Sequence, residues 1–158
     1  MSDATARPLT AAERKLAGSM FGRAIAYDAV TLYRRKWFAF QPVNTLMAPT
    51  GGIWFHPKGP YWREDFGTAP LKLQALFLHE MTHVWQHQSG VFLPLRRHPF
   101  CRYHYSLKPG WPLKRYGIEQ QAEIVRHVFL LRQGETVAGA PPLESFEAIL
   151  PFKSEIGR

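Results

Sequence analysis

Two stretches of the chain carry apolar positions at helical spacing. From about Ala69 to Gln88, Leu71, Leu73, Leu76, Phe77, Leu78, Met81, Val84 and Trp85 recur so densely that they cover most sides of a helix. That pattern predicts a buried central helix, with Pro70 in its first turn and Gly90 as its stop. From Ile118 to about Gln133, Ile118, Ala122, Val125 and Phe129 line one side of a second helix. A third helix is predicted near the N-terminus, where Thr10 is followed three residues later by Glu13, a capping-box spacing, and the run stops near Gly22.

The intervening segments read differently. Residues 26–33, "AYDAVTLY", alternate and are β-branched, as a strand would be. Residues 44–56, "NTLMAPTGGIWFH", read as two short strands around a Pro-Thr-Gly-Gly turn, and the second could offer its edge to an extended peptide. Residues 59–70 are loop. The segment from Phe92 to Tyr116 is an irregular loop rich in aromatics and proline, and the tail holds one short helix and a loose end. The expected fold class is α+β: a single domain over residues 1–158, with a helical core and a small antiparallel sheet.

Composition narrows the picture little. The chain's 158 residues suit one ordinary domain. No run approaches the roughly 18 apolar residues of a membrane span, and residues 1–15 lack the apolar core of a secretory signal. The expectation is a protein that stays in the cytoplasm or leaves by a route that reads no cleavable signal. The lone cysteine, Cys101, excludes an internal disulfide and reads as a packing residue. The net charge of +8 suggests an acidic partner. Its cations read as scattered, however: Arg34, Arg35 and Lys36, then Arg96 and Arg97, then Lys114 and Arg115. None forms a basic arm, so a solvated surface is the better reading and nucleic acid ranks last among partners.

The central helix carries the chemistry. His79-Glu80-Met81-Thr82-His83 is an HExxH sequence. On a helix its two imidazoles stand one turn apart and can grip one zinc ion, with Glu80 placed beside the metal's water as general base. The bland alternative is a pair of core histidines bonded to backbone, but such groups are costly to bury without a task. His87 looks like a third ligand and fails on distance. It lies eight residues beyond His79, a rise of about 12 Å, whereas zinc–nitrogen bonds are about 2.1 Å. A carboxylate from the second helix serves better. Glu119 and Glu123 lie one turn apart there: one would complete a His₂Glu set, and the other would accept a ligand's ring N–H. Read in isolation, the pair is more often a solvated helix surface; beside an HExxH motif the metal reading prevails.

With those motifs in view, the chain resembles the small Vgr-related, Rhs-associated zinc metallopeptidase-like proteins of bacteria. More distantly it is similar to the metallopeptidase-like core domain of extracellular contractile injection systems. The resemblance rests on "FLHEMTHVWQ", "GIEQQAEIV" and the upstream "APTGGIWFHP", covering roughly residues 24–134. It implies a gluzincin-type site with one Zn²⁺ held by His79, His83 and Glu119, Glu80 as general base, and Glu123 behind a ligand. Met81 stands where the group often has leucine, which leaves the chemistry untouched.

If active, such a site would hydrolyse peptide bonds, Glu80 taking a proton from the attacking water. A second donor to the oxyanion is needed, and Tyr103, His104, Tyr105 and Tyr116 lie between the two ligand helices. The expected partners are a peptide or protein substrate and a toxin or secretion-system protein, with no membrane partner. Three readings compete: a zinc peptidase, a zinc-stabilised adaptor or tail-associated module without turnover, and a nucleic-acid-binding protein. Glu80 separates the first two, because it is needed for hydrolysis and not for holding zinc.

Overall fold

A computed structural model describes residues 5–93 and 103–153. Four α-helices and three short strands form among these residues: β1 (Ala6–Pro8), α1 (Ala11–Phe21), β2 (Thr31–Tyr33), β3 (Ile53–Trp54), α2 (Leu71–Gln88), α3 (Ile118–Arg132) and α4 (Leu143–Glu147). The domain is thus mixed α+β, its main helix pair, α2 and α3, packed face to face.

α1 starts as its sequence dictates. The Thr10 hydroxyl accepts Glu13 N–H at 3.0 Å, and the Glu13 carboxylate accepts Thr10 N–H at 2.9 Å. Glu13 is fully buried, and its charge is matched by both guanidinium nitrogens of Arg7 at 2.8 and 2.9 Å. The helix stops at Gly22, whose φ is +55°; a Cβ there would lie 2.1 Å from the Lys153 carbonyl oxygen. Only glycine fits that position.

The sheet corrects the sequence reading in two ways. It is not antiparallel throughout: β1 pairs antiparallel with β2, but β2 pairs parallel with β3. Residues 26–33 supply a strand only over Thr31–Tyr33, because Tyr27–Ala29 forms a 3₁₀ turn first. The Gly51–His56 segment also offers no open edge at Trp54. Trp54 N–H donates to Met47 O at 2.7 Å, and Trp54 O accepts from Met47 N–H and from the Gln41 side chain, both at 3.1 Å. An added strand finds those groups already taken.

The core joins sheet to helix through aromatics. Phe55, Phe66 and Phe77 stack in series at 5.5 and 5.4 Å between ring centres, running from the end of β3 to α2. All three are essentially inaccessible, and each contributes roughly 1.5–3 kcal/mol by burial. Every residue from Phe77 to Gln86 is buried, so α2 is the central helix its composition implies. Polar residues on that stretch therefore sit in the interior. Cys101, Arg96 and Arg97 lie outside the described residues.

Candidate metal centre

α2 and α3 bring three ligating side chains together. His79 and His83 are one turn apart on α2, and Glu119 faces them from the first turn of α3. Among the described residues, one donor atom from each of these three lies within 4.8 Å of the other two. His79 Nε2 is 3.2 Å from Glu119 Oε2, and His83 Nε2 is 3.2 Å from Glu119 Oε1. All three side chains are buried. Ligands of one tetrahedral zinc, each about 2.0–2.1 Å from the ion, stand about 3.3 Å apart, so this spacing is that of a shared coordination shell.

The outer faces of the two rings settle which nitrogens point inward. His79 Nδ1 meets Glu123 Oε1 at 3.3 Å. His83 Nδ1 meets Gln86 Oε1 at 2.9 Å. The Gln86 amide is itself fixed, because its Nε2 donates to Ile118 O at 3.1 Å and to Gln121 Oε1 at 3.0 Å. Its oxygen must therefore face His83 and accept Nδ1–H. A carboxylate behind one ring and an amide oxygen behind the other hold both imidazoles as Nδ1–H donors. Both Nε2 lone pairs are left for a metal.

The electrostatics suit a cation. Burial pulls the His79 imidazole down, but hydrogen bonds to Glu119 and Glu123 and the charges of Glu80 and Glu119 raise it to about 9. Burial pushes the Glu123 carboxyl up, yet its hydrogen bond to His79 and the charges of His79, Arg126 and His127 hold it below the usual carboxylate range. Three glutamates surround the two histidines, so this pocket of a basic protein selects positive charge. Glu80 Oε2 is buried and has no hydrogen-bond partner among the described residues. An orphaned buried carboxylate oxygen beside the ligands demands a donor, and a water at a metal's open position is one. The residues fit the ion.

The remaining sequence candidates fall in different places. His87 is half-buried against the turn before β3, where a Cβ on Gly51 would stand 2.9 Å from its Cδ2; it does not belong to the ligand group. The Tyr103 ring lies over His79, 6.2 Å between centres and 19° from parallel. The Tyr105 hydroxyl meets His127 Nδ1 at 2.5 Å, and His127 Nε2 lies 3.5 Å from Glu123. Tyr103, His104, Tyr105, Glu123 and His127 share the wall of a cleft of about 650 Å³. Tyr116 does not join them: it is buried against Trp111, its hydroxyl oxygen accepting Lys108 N–H at 2.8 Å. That use makes it a packing residue of the loop. Sequence reasoning missed Gln86. The available signal was a polar side chain one turn past His83 inside an otherwise buried helix.

Fold and site together define a mixed α+β domain whose helical core brings together a His-His-Glu group that could hold a metal ion. The chain belongs to the family of the VgrG2b effector domain. The solved effector domain of Pseudomonas aeruginosa VgrG2b matches with a TM-score of 0.74 and 35% sequence identity, over 95% of this chain and 86% of that one. The type VI secretion system spike protein VgrG2b of Pseudomonas aeruginosa is 42% identical over an alignment of 134 residues that covers 78% of this chain. That alignment takes in 13% of the spike protein, so the chain spans a small part of this relative's length. No family model matches the chain.

Proposed function

We propose that the chain is a zinc-dependent peptidase domain of gluzincin type, working as an effector associated with a type VI secretion system. The observation that carries this reading is Glu80. Its buried, unpartnered Oε2 neighbours two histidines whose tautomers are already set for a metal. His79, His83 and Glu119 would hold the ion. Bound there, zinc supplies a Lewis acid that polarises a carbonyl and lowers the pKa of water toward about 7.

The rest is the work of the chain's own groups. Glu80 accepts the proton of the attacking water and passes it to the leaving amine nitrogen. Glu123 and Gln86 keep the two imidazoles oriented through the reaction. Tyr103, stacked over His79 and half-exposed, is placed to reach a substrate from the cleft side. Among the described residues no helix is long and apolar enough to cross a membrane, which suits delivery by an injection apparatus. Substrates are peptides or proteins.

A second reading keeps one specific observation in its favour: the matched relative is mostly spike protein, with the similar region a small share of it. A domain carried on a spike can serve as an adaptor whose zinc is structural. Glu80→Gln separates the two readings. The amide cannot take a proton, so the peptidase reading expects unchanged zinc content and melting temperature, with hydrolysis lowered by about 10²–10⁴-fold. A wild type that cleaves no member of a mixed peptide library, with Glu80→Gln fully supporting the secretion system, would give the adaptor reading the decision.

A further inference from the structure

Residues 34–40 are all exposed, though three of the seven are large aromatics. Trp37 is 39% exposed, Phe38 41% and Phe40 87%, with Val43 at 44% nearby. The turn that displays them is built, not loose. Gln41, only 3% exposed, accepts Trp37 N–H at 2.8 Å and donates to Thr45 O at 2.8 Å and Trp54 O at 3.1 Å. Gln41 N–H closes the turn on Phe38 O at 3.1 Å. A buried amide thus pins the turn to β3 while Phe40 stands in solvent and Trp37 and Phe38, edge to face at 6.1 Å, remain partly exposed. Grouped exposed apolar surface of this kind marks an interaction site.

Charge indicates the partner. Between Ala29 and Arg63 the chain holds Arg34, Arg35, Lys36, Lys58 and Arg63 and no aspartate or glutamate. Arg34, Arg35 and Lys36 lie on the turn itself, where Lys36 Nζ donates to Ala39 O at 3.2 Å. Arg34 lies over the Trp62 ring and Arg35 over Tyr33, at 5.9 and 4.8 Å. Gly59, next to Lys58, approaches so closely that a Cβ on it would lie 2.4 Å from Val43 O. The next acid, Glu64, is occupied by the Trp62 indole N–H at 3.0 Å.

We propose that this turn anchors the protein to the surface of an anionic phospholipid bilayer. Trp37, Phe38 and Phe40 enter the boundary between headgroups and acyl chains, while Arg34, Arg35, Lys36 and Lys58 face the phosphates. Tryptophan beside cations is the side-chain chemistry of a membrane–water interface. A single-stranded nucleic acid calls instead for aromatic faces lining a cationic groove, whereas the most exposed ring here projects from a turn. The proposal departs from the expectation of no membrane partner, which rested on the absence of a spanning segment. Surface anchoring needs none.

The test is flotation of the whole chain with vesicles of phosphatidylglycerol and phosphatidylethanolamine, and separately of phosphatidylcholine alone. The anionic vesicles should carry the protein, and the zwitterionic ones much less. R35Q/K36Q should lower partitioning about fivefold per lost cation, and F38S/F40S should lower it at least about tenfold at salt that screens the charges. Both variants should keep the wild-type melting temperature and zinc content. Failure to bind anionic vesicles overturns the proposal, as does binding indifferent to F38S/F40S. A concentration-dependent dimer, or tighter capture of a single-stranded oligonucleotide, that F38S/F40S abolishes while vesicle binding persists would equally assign the turn elsewhere.

Discussion

The α2–α3 interface and the turn at residues 34–40 break the same rule in opposite directions. One buries glutamates and histidines in the core; the other holds Trp37, Phe38 and Phe40 in water. Each arrangement costs free energy in the isolated chain. In the interface nearly every polar atom has been given a counterpart, and the exception, Glu80 Oε2, lies beside the ligands. In the turn Gln41 anchors the backbone, and the Phe40 ring is left 87% exposed. On the readings proposed above, the two regions call for different counterparts: a small cation in one case, an apolar and anionic surface in the other.

Removing the ligands should break the first region most severely. His83→Ala or Glu119→Ala should strip nearly all zinc and lower the melting temperature, because metal binding to the native state is folding free energy. His87→Ala should leave zinc content near wild type, its ring lying against Gly51 and outside the ligand group. Zinc lost on removing His87 but kept on removing Glu119 would show that the ligand set is misassigned; metal analysis of purified variants decides it.

The groups behind the rings come next. Gln86→Leu and Glu123→Ala should each weaken zinc binding about 10- to 100-fold, as loss of an outer hydrogen-bond partner does. Competition with a chromogenic chelator measures this. Gln86 carries no charge, and a melting temperature measured alongside separates its effect on His83 from the loss of its bonds to Ile118 and Gln121.

This contrast also explains what the sequence disclosed. HExxH on a densely apolar helix, and Glu119 with Glu123 one turn apart on another, are local patterns written at helical spacing, so both helices and the three side chains of the candidate metal cluster could be read directly. Gln86 was harder, because its one local signal, a polar residue one turn past His83 on a buried helix, does not say which group it orients. The parallel pairing of β2 with β3 was hidden for another reason. It joins Leu32 to Ile53 across the chain, and two- or three-residue strands have too little periodicity to announce a partner. In "RRKWFAF" only the cations are legible, because the exposure of the aromatics depends on a turn that Gln41 ties to β3, a contact no local pattern reveals.

A third test uses pH on chelator-stripped protein. His79 is raised to about 9 in the folded chain, against about 6.5 unfolded. The folded state therefore binds the proton more tightly, so its contribution to stability is complete below about pH 6.5 and is lost as pH rises through about 9. Denaturant midpoints should fall over that window in the metal-free wild type, and much less in His79→Gln. Zinc should reverse the trend, since ligands must shed their protons to bind it. A metal-free midpoint independent of pH would show that the carboxylates around His79 do not hold a proton there.

The smallest effect is expected in the exposed turn, and it is the one that tells a displayed side chain from a supporting one. Gln41→Ala removes a buried amide and strands Trp37 N–H, Thr45 O and Trp54 O in part, which should cost about 1–3 kcal/mol. Phe40→Ser, one residue away, removes a ring already 87% exposed, so its cost should stay within about 0.5 kcal/mol. Urea midpoints of the two variants test the pair. A large loss from Phe40→Ser would mean that the ring packs on the domain in solution, and the turn would then be part of the core. Near-equality with wild type, beside a clear loss from Gln41→Ala, leaves the ring with no role in stability and an outward one to fill.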